Sequence, residues 1–342
     1  MTEILADVAE TFIEYQLSVL GISKLLHEEA VTEICINRPG EVFYESKGGW
    51  HYQDVPSLTF ERAQAFCTAI VNESKTGQSI TEHSPLVSFT FPTGQRAQFV
   101  IPPAVEAGTV SITIRLPSKR RYTLQEYSDN GFFDRLAEVR AGLSPEDHNL
   151  IALKQQGRFA EFFAAAVAGR KNIVVAGATG SGKTTFMKAL VDHIPANERL
   201  VSIEDARELF LTQPNRVHLL YSRGGQSLAN ITPKGCMEAC LRMKPDRILL
   251  AELRGDESFF FIRNCASGHP GSITSCHAGS AAQAWEQLAL MVKASPEGST
   301  IEYEVIKHLL RMTIDVMVHV HAHDGIRRIT GIDFVPESVG VH

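Results

Sequence analysis

The sequence predicts an α/β protein in two parts: a smaller α+β N-terminal domain with an antiparallel sheet, residues 1–117, and a larger domain with a mostly parallel sheet, residues 144–342. Three observations carry this expectation. The 342 residues exceed the size at which one hydrophobic core stops growing, about 250–300 residues. From Lys171 onward strand-like apolar runs alternate with helical patterns, the order of a parallel sheet covered on both faces. Before Pro117 the order is strand, helix, strand, strand, without that alternation.

In chain order, residues 3–20 set Leu5, Val8, Phe12, Tyr15 and Val19 at steps of three and four, an amphipathic helix. Its other face bears Glu3, Asp7, Glu10 and Glu14, which suits core or subunit packing and opposes docking on anionic lipid. Glu33–Arg38 and Glu41–Glu45 read as strands about the turn Pro39-Gly40. A helix follows from Phe60 to Val71, then strands over Gln95–Ile101 and Thr109–Leu116, bounded by Pro102-Pro103 and Pro117. Residues 118–143 read as a linker with some local helix. Ser144-Pro145-Glu146-Asp147 restarts order: serine caps, proline takes the first helical position, and the acids favour the helix dipole. Strands then fall near Asn172–Ala176, Leu200–Ile203, Val217–Leu220, Arg247–Ala251 and Ser272–Cys276, with helices opening at Thr232-Pro233 and near Asp256. Val316–His321, Asp324-Gly325 and Arg327–Val335 read as a closing hairpin.

The formal charge of −6 argues against strong intrinsic binding to nucleic acid. The compact basic group Lys119-Arg120-Arg121 reads as a solvated loop. Six scattered cysteines within apolar runs suit reduced thiols; Cys236 and Cys240 lack a second pair at ligand spacing, which argues against zinc. His319, His321 and His323 share a strand face without a flanking carboxylate or cysteine, so they read as a solvated or interfacial face. The N-terminus has no basic region or cleavage site, and no run of about 18 apolar residues occurs, so the expectation is a cytoplasmic chain with peripheral membrane contact and no transmembrane segment.

Gly177-Ala178-Thr179-Gly180-Ser181-Gly182-Lys183-Thr184 matches G-x-x-x-x-G-K-[ST] and stands between an apolar strand and a helix. Such a loop converges backbone N–H groups on phosphate oxygens at the positive end of a helix. Lys183 is then expected to reach the β- and γ-phosphates of ATP, Thr184 to ligate Mg²⁺, and Thr185 to extend the cradle. Hydrolysis also needs a polarised water. Glu252 ends an apolar strand at the carboxyl edge, where open α/β sheets bind ligands, and is the candidate for the magnesium waters or the attacking water. Its preceding position, aspartate in the common form, is Ala251. Glu204, supported by Asp205, is the candidate general base, since one intervening water suffices for that role. His277, ending the strand Ser272–Cys276, is the candidate γ-phosphate sensor.

Together these segments resemble the Walker A, aspartate-box, atypical Walker B and histidine-box set of the type II/type IV secretion ATPase superfamily. Within it the resemblance is to the VirB-type conjugation and type IV secretion traffic ATPases, carried by Ile34–Val42, Gly94–Val105, Thr109–Ser118 and Cys240–Glu257. It covers residues 25–335. The resemblance implies a RecA-like P-loop domain, a homo-hexameric ring and nucleotide bound between the two domains. It implies that Arg96 and Arg115 close over the phosphates, as the bidentate arginine fork suits. It implies Mg-ATP hydrolysis that swings the domains about the linker, powering pilus assembly and transfer of DNA or protein substrate. Its partners would be inner-membrane components of the secretion complex. Ala251 stands where that family often has glycine. Rival readings are a type IV pilus extension or retraction ATPase, a RecA-like nucleic-acid translocase, and a nucleotide-gated docking platform.

Overall fold

The computed structural model describes residues 12–73, 77–117, 120–134, 143–222 and 229–339. The first nine residues of the expected N-terminal helix, 3–11, lie outside them, as does Lys119; residues 12–19 are helical (α1).

Alternating apolar residues in the first third build a six-stranded antiparallel sheet of order β3-β2-β1-β6-β5-β4. Its elements are α2 (Ser23–His27), β1 (Val31–Ile36), β2 (Glu41–Ser46), β3 (Gly49–Asp54), α3 (Phe60–Glu73), β4 (Leu86–Thr90), β5 (Arg96–Val100) and β6 (Ser111–Arg115). Helix α3 lays Ala63, Phe66, Cys67, Ile70 and Val71 on the sheet, with Phe66 edge-on to Phe99 of β5. Removing Phe66, Ile70 and Val71 from water contributes about 1.5–3 kcal/mol each. Strands β3 and β4 are additions to the sequence reading. None of the six residues of β3, an edge strand, is fully buried, so its sequence carries no apolar stripe to detect.

Between the sheets, α4 (Leu124–Asp129) closes a capping box in which Thr123 and Glu126 bond each other's backbone N–H. Arg120 pairs with Glu126 and lies over the Tyr122 ring. Residues 118–119 and 135–142 of the expected linker lie outside the described residues.

The second sheet has seven strands in the order β13-β12-β7-β11-β10-β8-β9, parallel throughout except for β13. Helices α5 (Pro145–Gln155) and α6 (Phe159–Ala168) lead into β7 (Ile173–Ala176), then α7 (Lys183–Val191), β8 (Leu200–Glu204) and β9 (Arg216–Leu220). Next come α8 (Pro233–Cys240), β10 (Arg247–Leu253), α9 (Glu257–Ala266), β11 (Ile273–Cys276), α10 (Ala281–Ala294) and α11 (Tyr303–Thr313). The hairpin β12 (Val316–His323) and β13 (Ile326–Phe334) and the short α12 (Val335–Val339) close the chain. As the sequence signals, Ser144 caps α5 within a capping box, Thr232 caps α8, and Asp324-Gly325 turns the hairpin with both φ positive. Both sheet faces are covered. Ile173 and Val175 of β7 pack with Met187 and Leu190 of α7, while Val174 and Ala176 face the core shared by α8 to α11. Among the described residues, no helix is long and apolar enough to cross a membrane.

The two sheets meet at the amino edge of the parallel strands and, through residues 104–106, along the edge strand β9. The side chain of Arg199, fully buried at the head of β8, donates to Met243 O at 2.8 Å, to Asn37 Oδ1 at 2.8 Å, to Asn215 Oδ1 at 2.6 Å and to Thr113 Oγ1 at 3.3 Å. Trp50 of β3 donates to Asp246, which also accepts from the Arg199 amide. This polar seam was not foreseen, because a lone arginine before a strand looks like surface charge.

Candidate active site

Strand β7 delivers its last residue to the loop 177–182, whose helix α7 begins at Lys183. Gly177 is tightly enclosed: a Cβ there would lie 2.4 Å from Val320 O and 2.5 Å from Ser181 Oγ. Gly182, at φ +100, takes a backbone conformation that L side chains rarely adopt. Ala178, Thr179 and Gly180 form an exposed crest, Thr184 is half-buried and Thr185 exposed. The Ser181 hydroxyl is buried and makes no hydrogen bond.

Lys183 is buried at the loop's mouth, and its Nζ donates to Gly177 O at 2.9 Å and Ala178 O at 3.0 Å. Burial lowers its pKa, and the nearby Glu252 carboxylate opposes the shift. His277 follows β11, which pairs directly with β7, and its Nδ1 lies 3.5 Å from Lys183 Nζ. Its Nε2 touches Glu252 Oε1, and Glu252 also pairs with Arg254. Burial and then the Lys183 charge hold His277 below the usual imidazole range. A neutral ring can accept from the Lys183 ammonium at Nδ1 while Nε2 lies against the Glu252 carboxylate. The structure therefore brings Lys183, His277 and Glu252 together at the carboxyl edge.

Glu204, the candidate general base, is placed apart from Lys183 within the subunit. Its strand β8 lies three strands from β7, about 14 Å at the usual spacing. The side chain is fully buried, and its two oxygens accept four hydrogen bonds: from Ser202 Oγ at 2.7 Å, His218 Nδ1 at 3.2 Å, and the amides of Glu208 at 2.8 Å and Leu209 at 2.7 Å. Burial alone would raise its pKa, but these hydrogen bonds outweigh burial and hold it below the ordinary carboxylate range. Such a carboxylate anchors the loop after β8. The acids this loop exposes are Asp205 and Glu208.

Arg96 and Arg115 also stand apart from the loop within the subunit. They face each other across β5 and β6 and line a cavity of about 610 Å³ with Glu33, Arg242, Lys244 and His269. Lys244 and His269 precede β10 and β11, so this cavity opens at the amino edge, the length of a strand away from Lys183. The physical reason is the polar seam at Arg199, which seats the antiparallel sheet on that edge.

The sequence reading overlooked Arg327. Strand β12 pairs His319 with Ala176 and then continues past the end of β7, carrying Arg327 of β13 beside the loop. The position of a Cβ on Gly182 would be 2.9 Å from Arg327 Cδ. The histidine face is as expected in geometry: the rings of His319, His321 and His323 stack at 6.2 Å steps, and His319 meets Thr330 Oγ1 and Ala278 O.

Comparison with known proteins gives concordant results. The family described as "Type II/IV secretion system protein" matches residues 143–319. The type IV secretion system protein VirB11 of Brucella suis is 48% identical over 319 residues, 92% of this chain and 88% of that protein. PtlH, a type IV secretion system protein of Bordetella pertussis, is 41% identical over 307 residues, 89% of each. The crystal structure of the VirB11 ATPase from the Brucella suis type IV secretion system, in complex with sulphate, superimposes with a TM-score of 0.88 at 45% identity, covering 96% of this chain and 99% of that one. With these similarities spanning both sheets, the chain belongs to the type II/IV secretion system protein family, among its VirB11-type ATPases.

Proposed function

We propose that this ATPase works as a homo-hexameric, cytoplasmic ring at the inner membrane. There it binds and hydrolyses Mg-ATP to power pilus assembly and the passage of DNA or protein substrate through a conjugative type IV secretion system. The observation that carries the reading is the cluster of Lys183, His277 and Glu252 at the mouth of a glycine loop. The fit to a triphosphate rests on the enclosed Gly177, the left-handed Gly182 and the orphaned Ser181 hydroxyl. Residues 177–185 bind and orient the phosphates through amides at the positive end of α7, with the Lys183 ammonium neutralising the β- and γ-oxygens. Mg²⁺, bound by the Thr184 hydroxyl and through water by Glu252, would offset charge on the transferred group. Glu252, held between Arg254 and His277, orients and deprotonates the water that attacks the γ-phosphorus, giving ADP and phosphate. His277 lies against Glu252 and faces Lys183, so it couples the water to the phosphate grip.

The parts 1–117 and 144–342 are proposed as its two domains, joined by 118–143. Because Arg96 and Arg115 lie at the opposite edge of their own subunit, their phosphate role, if the ring forms, falls on nucleotide held by a neighbour. The test is Lys183→Ala in the full chain. ATP turnover is expected to fall at least a hundredfold, with nucleotide-free stability kept. Turnover at the parent rate would sink the assignment, and a native mass that stays monomeric with ATP would remove the ring.

A further inference from the structure

We infer that Arg327, on the closing hairpin, is a phosphate-contacting residue that acts on nucleotide held by its own subunit. The inference deepens the reading of the 177–185 loop as a triphosphate site and rests on it. Three observations lead to it. The hairpin leans on the loop: β12 runs on from the pair His319–Ala176, and Val320 O lies 2.4 Å from where a Gly177 Cβ would stand. Ala322 pairs with Arg327, which brings the arginine's stem over Gly182, with Cδ 2.9 Å and Nε 3.4 Å from that glycine's Cβ position. A methyl group on Gly182 would crowd that stem.

The charge is also unspent. Arg247, by contrast, forks onto Glu198 at 2.6 and 2.9 Å, and Arg254 pairs with Glu252. Among the described residues no carboxylate lies within ion-pair reach of Arg327, whose side chain is exposed at the head of α7. An arginine stem lying over Gly182 and the amide end of α7 together suit the phosphates of a nucleotide. Arg327 thus supplies from the same chain the fork that Arg96 and Arg115 cannot bring to this loop.

The test compares Arg327→Gln, Arg327→Lys and Arg328→Gln in the full chain by equilibrium binding of ATP, ADP and adenosine and by steady-state turnover. Arg328 pairs with His321 on the other face of the hairpin, so its variant makes the same charge change away from the loop. Losing one charge-assisted contact, Arg327→Gln is expected to weaken ATP and ADP binding about tenfold and raise KM in step. Adenosine binding and the nucleotide-free unfolding midpoint stay fixed. Arg327→Lys recovers part of the loss and Arg328→Gln changes nothing. Parent-like ATP binding by Arg327→Gln, or an equal loss in Arg328→Gln, would overturn the inference. If Lys183→Ala abolishes ATP binding while Arg327→Gln keeps it, this inference alone fails. If Lys183→Ala binds ATP normally, the reading of the loop fails.

Discussion

Glu204→Gln separates an anchoring carboxylate from a chemical one. The four hydrogen bonds onto Glu204 come from Ser202, His218 and the amides of Glu208 and Leu209. An amide in its place keeps one oxygen, which must face the two backbone N–H groups because they can only donate. Its NH2 then faces Ser202 Oγ and His218 Nδ1, both of which can turn to accept. All four contacts survive in shape but lose their charge, and the two to backbone fall from about 1.5–3 to about 0.5–1.5 kcal/mol each. The expected loss of stability is on the order of 2–4 kcal/mol, read as a lower urea midpoint at constant slope without nucleotide. The sign with pH follows from the depressed pKa: the anion's contribution is present above its ordinary value of 4.5 and is lost as pH falls toward the folded value, so the deficit of the variant shrinks in acid. Glu208→Gln, at an exposed acid whose amide Glu204 holds, is expected to leave stability within about 0.5 kcal/mol. An unchanged midpoint for Glu204→Gln, with kcat down by a hundredfold or more, would refute the anchoring argument and restore Glu204 as the general base.

Two further outcomes follow from buried charge. Burial pushes Glu33 up to about 7 despite Arg115, Arg199 and Lys244, so the folded chain holds a proton there that the unfolded chain releases between about 4.5 and 7. Stability therefore falls as pH rises through that window, and Glu33→Gln should gain about 1–3 kcal/mol at pH 8 and little at pH 4, measured by paired denaturant melts. Arg199→Lys removes the fork that serves Asn37, Asn215 and Thr113 at once, and should cost about 3–5 kcal/mol, with unfolding that splits into two transitions in calorimetry. A single unshifted transition would count against a seam that couples the sheets.

What the sequence made legible was local. The loop 177–184 follows from glycine and lysine spacing inside one strand–turn–helix, and the caps at Ser144 and Thr232 from side chains that bond their own neighbours. What it hid was the order in which strands lie side by side. Strand β8 follows β7 along the chain yet sits three places away, with β11 and β10 between, so Glu204 looked adjacent to the loop and is not. The same crossing brings His277 and Glu252 in from far along the chain. Arg96 and Arg115 face each other across β5 and β6, and the edge they line is set by Arg199, a residue with no periodicity to betray it. Arg327 escaped because a hairpin reading fixes pairing partners and leaves open what lies beyond the end of the neighbouring strand.

The seam at Arg199 bears on how a stroke can be made. A guanidinium sealed from water, held by Asn215 and the Met243 carbonyl on its own side, cannot let the antiparallel sheet go without stranding Asn37 and Thr113. Levering the antiparallel sheet off its own parallel sheet would therefore cost several kcal/mol before any load was moved. Displacing the welded pair against the next subunit leaves that seam intact. In an assembly of such chains the yielding joint would be the boundary between molecules, and force would pass through each chain as through a solid spoke.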